Sequence, residues 1–211
     1  MIKSAAEIAL LQRANDVTIA AYRAGLATMR EGMTHVELRA NIVAAYRALG
    51  FAGEAAVSFG KYTAFPHGSI QPQKLREGDV VQIDDGVKVE GYQADITRTT
   101  VFGNPSARQT EIWNLERKAQ DVAFAAARPG AICESVDAAA RKVITDFGFG
   151  PNYKVPGLPI ARATESALMA TSGRTWFAAT RRSCRRACAS ATSRWSRSTV
   201  SSACVWRTVS T

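Results

Sequence analysis

VVQIDDGVKVEGYQADITRTTVF, residues 80–102, is the stretch whose reading decides the fold. β-Branched and apolar residues flank a turn region around Lys88 to Gly91, so the two arms are expected to pair as an antiparallel hairpin. Asp84 and Asp95 stand eleven residues apart, one on each arm. Adjacent strands can aim two such carboxylates at one spot. Two carboxylates at close range repel unless a proton or a cation sits between them. Carboxylate oxygens suit divalent metal ions, which makes a metal the expected occupant. A bare D-x10-D would be read as a hairpin with solvated acids near its turn; the surrounding residues make this instance more specific.

The full wording, I-D-x-G-x4-G-Y-x2-D-I-T-R-T, resembles the pita-bread metallopeptidases: Xaa-Pro aminopeptidases, prolidases, methionine aminopeptidases and the non-peptidase creatinases. The resemblance implies an α+β fold of two pseudo-two-fold halves. It also implies five metal ligands, of which Asp84 and Asp95 are two. By the same resemblance Asp85 is a neighbour and not a ligand, and Thr97 orients a ligating carboxylate. His67 follows Pro66 and precedes Asp84 by seventeen residues, where the family has a P-H pair. An isolated loop histidine is commonly a surface residue. The matching spacing favours the family's role, in which this imidazole holds or protonates the substrate near the metals.

The rest of residues 1–159 is consistent with one globular catalytic domain, incomplete in its second half. These residues carry 18 basic and 17 acidic side chains. Ser4 to Glu7 is a capping box that opens a helix running to about Met29, with Ile8, Leu11, Val17 and Ile19 as its apolar residues. Thr34 to Glu37 is a second capping box. Leu38, Ile42, Ala45, Tyr46 and Leu49 then form a helical stripe ending at Gly50. His35, in the first turn of that helix, is expected to be exposed and has no role. Val57 and Phe59 suggest a strand. Gly103 to Ser106 is a turn, and a helix to about Arg128 follows, with Ile112, Leu115, Ala119, Val122 and Ala126 on one side. After Pro129-Gly130 a further helix is expected over about Glu134 to Phe147.

The segment EGMTHVELRANIVAAYRALGF (31–51) is echoed by PGAICESVDAAARKVITDFGF (129–149). Gly32 and Gly50 match Gly130 and Gly148; Leu38, Tyr46 and Phe51 match Val136, Ile144 and Phe149. A repeat of this kind implies two similar halves, as the pita-bread resemblance also does.

Residues 160–211 have another character. They hold nine Arg, no Lys and the single acid Glu165, with three of the four Cys and three of the four Trp. No helical or strand period runs through them, and disordered tails are seldom so rich in Cys and Trp. The family's remaining ligands, one His and two Glu, belong in this region, which contains no His. Read one base earlier, with wobble bases chosen freely, the codons for residues 160–211 permit G-H-G-I-G, H-E-W-P, D-E-P and R-L-E-D in the family's order. Residues 160–211 are therefore expected to be an aberrant, out-of-frame tail following a one-base deletion near the codons for Pro159 and Ile160. An upstream N-terminal domain is expected to be absent or encoded separately.

The functional expectation is a metal-dependent exopeptidase of the Xaa-Pro type. It would cleave the N-terminal peptide bond of proline-containing peptides with two divalent ions (Mn, Co or Zn) activating a water. The chain as written keeps two of the five ligands, so metal binding is expected to be weak or absent and activity negligible. The alternatives are a catalytically dead member that binds peptides or a partner, and nucleic-acid binding through Arg181, Arg182, Arg185 and Arg186. The second is weak, since a shifted GC-rich frame produces Arg by itself. A small peptide is the expected substrate, and a homodimer is left open. The N-terminus has no long apolar run, so neither secretion nor a membrane span is expected and the cytoplasm is the default compartment.

Overall fold

The hairpin forms as the alternation of residues 80–102 requires. In this computed structural model, which describes residues 3–65, 69–128 and 130–149, its arms are β2 (Val80–Asp84) with β3 (Lys88–Val89), and β4 (Tyr92–Gln93) with β5 (Arg98–Val101). The register runs Val80↔Val101 to Ile83↔Arg98, and resumes unshifted at Lys88↔Gln93 and Val89↔Tyr92. Glu90 and Gly91 close it with φ of 48° and 84°. Two consecutive positive φ values make the tight turn whose twist matches that of the paired strands.

The described residues fall into two compact units that divide between Ser106 and Ala107. In the first, α1 (Ala5–Leu26) packs on α2 (His35–Ala48), and β1 (Ala56–Phe59) joins β2 in an antiparallel sheet of order β1-β2-β5. The Thr34–Glu37 capping box is present in both directions, with Glu37 N–H donating to Thr34 Oγ1 at 3.2 Å and Thr34 N–H to Glu37 Oε2 at 2.8 Å. Leu38, Ile42, Tyr46, Phe59, Val81, Ile83 and Val87 form the core.

Three sequence expectations are corrected in this unit. The buried face of α1 is not built from Ile8, Leu11 and Ile19, which stay half-buried; it is Ala14, Val17, Thr18, Ala21, Tyr22 and Gly25, with Asn15. Small residues win there because α2 comes close: a Cβ on Gly25 would lie 2.3 Å from Ile42 Cγ1. Leu49, at the end of the α2 stripe, is the helix C-cap and is exposed. His35 is half-buried, with its ring edge-on to Phe59 at 6.5 Å and its Nδ1 enclosed without a hydrogen-bond partner.

Gly53 carries a first prediction. A Cβ at this position would lie 2.5–2.6 Å from three ring atoms of Tyr46, a fully buried side chain that itself meets Tyr22 edge-on. Overpacking of this kind costs about 1–3 kcal/mol. The unfolding free energy of Gly53→Ala from urea titration is expected to fall by that amount; an unchanged value would show that Tyr46 can move aside.

The second unit begins with α3 (Ala107–Ala126), packed on α4 (Cys133–Asp146). The repeat seen in the sequence holds at the backbone. α2 and α4 are each 14 residues long. Gly50 and Gly148 follow them with φ of 84° and 108°. Phe51 N–H returns to Tyr46 O at 3.0 Å, and Phe149 N–H to Ile144 O at 3.1 Å. The equivalent positions Leu38 and Val136, Ile42 and Ala140, and Tyr46 and Ile144 are all buried. Among the described residues no helix is long and apolar enough to cross a membrane.

Candidate metal centre

Asp84 is the last residue of β2, and the hairpin register sets Thr97 opposite it. Thr97 Oγ1 donates to Asp84 Oδ1 at 2.6 Å. The bond fixes one carboxylate oxygen and so the direction of the other. The same register puts Asp95 opposite Gly86, two positions on along each arm. Counted along this register, Asp84 and Asp95 fall at diagonal positions across the two arms. Such diagonals are separated by about 7–8 Å between backbones, within reach of long or polar side chains.

The hairpin ladder is opened at this point. Ile96 N–H donates to Asp85 O at 3.0 Å and Ala94 N–H to Val87 O at 2.9 Å, but Val87 N–H turns to Thr18 Oγ1 of α1 at 3.3 Å. Asp85 has φ 101°, a region an L residue adopts only under constraint. Its own carboxylate accepts from Gly86 N–H at 2.9 Å, which occupies Asp85 locally and supports its reading as a neighbour rather than a ligand. Gly86 is required for space: a Cβ there would lie 2.6 Å from the Ala94 carbonyl oxygen of the opposite arm. The glycine of I-D-x-G therefore lets the two arms close between the two aspartates.

Tyr22 fills the opening from α1. Its hydroxyl lies 3.0 Å from Asp85 O and 3.2 Å from Ile96 O. Burial pushes the Tyr22 phenol far above its ordinary range and the Tyr46 phenol up to about 12. Both therefore remain protonated donors at any working pH. Sequence reasoning missed Thr18 and Tyr22. The signal was present as two hydroxyl side chains four apart on α1, which share a helix face, but an apolar stripe was sought instead.

Asp84 and Asp95 supply hard oxygen donors of the type divalent ions take. Among the described residues no group of three or more His, Cys, Asp or Glu is gathered closely enough to hold a metal ion. The pair therefore fits as part of a metal site and not as a whole one. His67 lies outside the described residues, as do residues 150–211, where the remaining ligands were sought.

Comparison with known proteins agrees with this hairpin. Residues 9–165 match the sequence profile of metallopeptidase family M24. The chain belongs to that family. It is 34% identical over 155 residues to an uncharacterised peptidase of Staphylococcus saprophyticus, covering 72% of this chain and 44% of that protein. It is 32% identical over 156 residues to an Xaa-Pro dipeptidase of Pyrococcus horikoshii, with the same coverage. Among solved structures, the X-Pro aminopeptidase of Thermotoga maritima superposes with a TM-score of 0.68 at 31% identity, over 71% of this chain and 44% of that one. This M24 chain thus spans less than half the length of the relatives it matches. The α+β pita-bread assignment holds for the part that is described, and the Xaa-Pro branch is the one its relatives occupy.

Proposed function

We propose that residues 1–159 are part of the catalytic domain of an Xaa-Pro peptidase, and that Asp84 and Asp95 are two ligands of its paired divalent metal site. The observation that supports the reading is the Thr97–Asp84 bond beside an unshifted hairpin register. Bound metal would supply Lewis acidity, polarising a peptide carbonyl and lowering the pKa of the attacking water. In this chain Asp84 and Asp95 would hold that charge, with Thr97 stopping rotation of the Asp84 carboxylate. His67 would hold or protonate the substrate beside them. The substrate class is a small peptide with proline after the scissile bond, and the relatives named as Xaa-Pro peptidases support it.

In the same reading, residues 160–211 are an out-of-frame tail, which leaves two of five ligands. Two carboxylates alone make a weak site, because the remaining charge and coordination are missing. The full chain is expected to bind Mn²⁺ only weakly, in the millimolar range characteristic of sparse oxygen sites, and to show negligible Ala-Pro hydrolysis. Asp84→Asn and Asp95→Asn should each weaken the Mn²⁺ affinity at least about tenfold, since even the outer partners of metal ligands commonly contribute that much. Titration of free Mn²⁺ by electron paramagnetic resonance checks both statements. Equal uptake by the double variant would sink the assignment of the pair, and brisk turnover by the unsubstituted chain would sink the inactivity.

A further inference from the structure

Tyr22 stands where it can set the distance between the two aspartates through the backbone that carries them. Its hydroxyl reaches Asp85 O and Ile96 O, the carbonyls that immediately follow Asp84 and Asp95 in sequence. These two carbonyls belong to opposite arms of the hairpin, at the level where the ladder is opened and α1 supplies the missing partners. Four residues earlier on the same helix face, Thr18 Oγ1 accepts Val87 N–H while donating to Ala14 O at 2.8 Å. The helix is thereby fixed to both sides of the gap.

We propose that Tyr22 is a positioning residue for the metal-binding carboxylates, its one hydroxyl proton shared between the Asp85 and Ile96 carbonyls to hold the spacing of Asp84 and Asp95. The proposal rests on the reading of that pair as metal ligands. Three physical points support it. Asp85 keeps a strained φ of 101°, and such a conformation persists only where its surroundings over-determine it. Its carbonyl receives two donors, Ile96 N–H and the Tyr22 hydroxyl. The Tyr22 side chain is 1% exposed, so no water can replace its hydroxyl without repacking the core. With the hydroxyl gone, the Ile96 carbonyl loses the donor that α1 gives it, and the arms are free to adjust by the few tenths of an ångström to which metal–oxygen geometry responds.

Tyr46 is the comparison within the same core. It packs edge-on to Tyr22, and its hydroxyl is turned to the Tyr22 and Thr18 side chains. Tyr22→Phe and Tyr46→Phe remove the same atom from the same cluster, but only the first removes a donor to the hairpin carbonyls.

The test uses the full chain and two readouts. Amide hydrogen exchange should speed up at least tenfold at Ile96 and Ala94 in Tyr22→Phe, relative to Val81 and Thr100 further along the arms. Tyr46→Phe should leave that ratio unchanged. Mn²⁺ titration should show affinity weakened three- to tenfold in Tyr22→Phe and unaltered in Tyr46→Phe. A merely structural Tyr22 would speed exchange uniformly and leave the affinity intact, and either result overturns the proposal. Equal losses of Mn²⁺ affinity in the two variants overturn it as well. Failure of the underlying metal reading looks different: the unsubstituted chain would then take up no Mn²⁺, or its uptake would survive Asp84→Asn with Asp95→Asn, and both ideas would fall together.

Discussion

Insertion of one base between the codons for Pro159 and Ile160 is expected to raise Ala-Pro hydrolysis from a negligible level to that of a working Xaa-Pro peptidase. The gain in Ala-Pro hydrolysis with Mn²⁺ present is expected to be at least about a thousandfold. That figure is a small part of the acceleration enzymes reach, which exceeds about a millionfold. In the proposed reading, Asp84, steadied by Thr97, and Asp95 would be two anionic ligands on one hairpin, and the family resemblance calls for a further His and two Glu. The shifted frame permits them within G-H-G-I-G, D-E-P and R-L-E-D, in the order the family resemblance requires. Metal affinity rises steeply with the number of charged ligands, so uptake should change from weak to stoichiometric at two ions per chain. The repaired and unrepaired chains need only be compared for Mn²⁺ content and for release of proline. A repaired chain that binds two ions and releases none would refute the substrate class. One that binds none would refute the frame correction itself.

The parts of this protein that were legible in its sequence are those fixed by local chemistry. The hairpin was legible because alternation and a Gly at position 91 specify a register, and a register decides which residues face each other. The closeness of Asp84 and Asp95 was expected from it, whereas the part given to Thr97 came from the family resemblance. The capping box at Thr34 and the paired glycines Gly50 and Gly148 were legible for the same reason, since each satisfies or turns a few neighbouring backbone groups. What was not legible depends on contacts distant in sequence. Tyr22 is 63 and 74 residues from the carbonyls it bridges, and nothing near it signals that those carbonyls lack partners. The buried face of α1 was misread because Thr18, Tyr22 and Gly25 are buried for hydrogen bonding and close approach, and not for their hydrophobicity. His35 was misread because the Phe59 ring that covers it arrives with another element. The role assigned to His67 came from the family's spacing, and that residue lies outside the described part of the chain.

The repeat adds a result that neither half shows by itself. Ninety-eight residues beyond Thr18, at the equivalent position on α3, the sequence has Glu116. Thr18 accepts a backbone N–H from the first hairpin, whereas Glu116 Oε2 is enclosed without any hydrogen-bond partner. Burial alone pushes the Glu116 carboxyl up to about 8, with no neighbouring charge contributing. Its folded-state pKa thus lies above the ordinary carboxyl value of 4.5 that the unfolded chain should approach. Between these values the folded chain holds a proton that the unfolded chain releases, so stability falls as pH rises. The contribution is fully present below about pH 4.5 and is lost progressively up to about pH 8. Each pH unit in that window is worth about 1.4 kcal/mol, giving a ceiling of a few kcal/mol. Glu116→Gln removes the titration while keeping the shape. Its urea midpoint, followed by far-ultraviolet circular dichroism, should be flat across the window and exceed that of the unsubstituted chain at its alkaline end. Parallel pH profiles for the two proteins would mean that Glu116 ionises in the folded chain as readily as in the unfolded one. Its enclosed oxygen would then be solvated in solution. A flat profile for Glu116→Gln alone would instead identify this carboxyl as the group whose ionisation sets the slope.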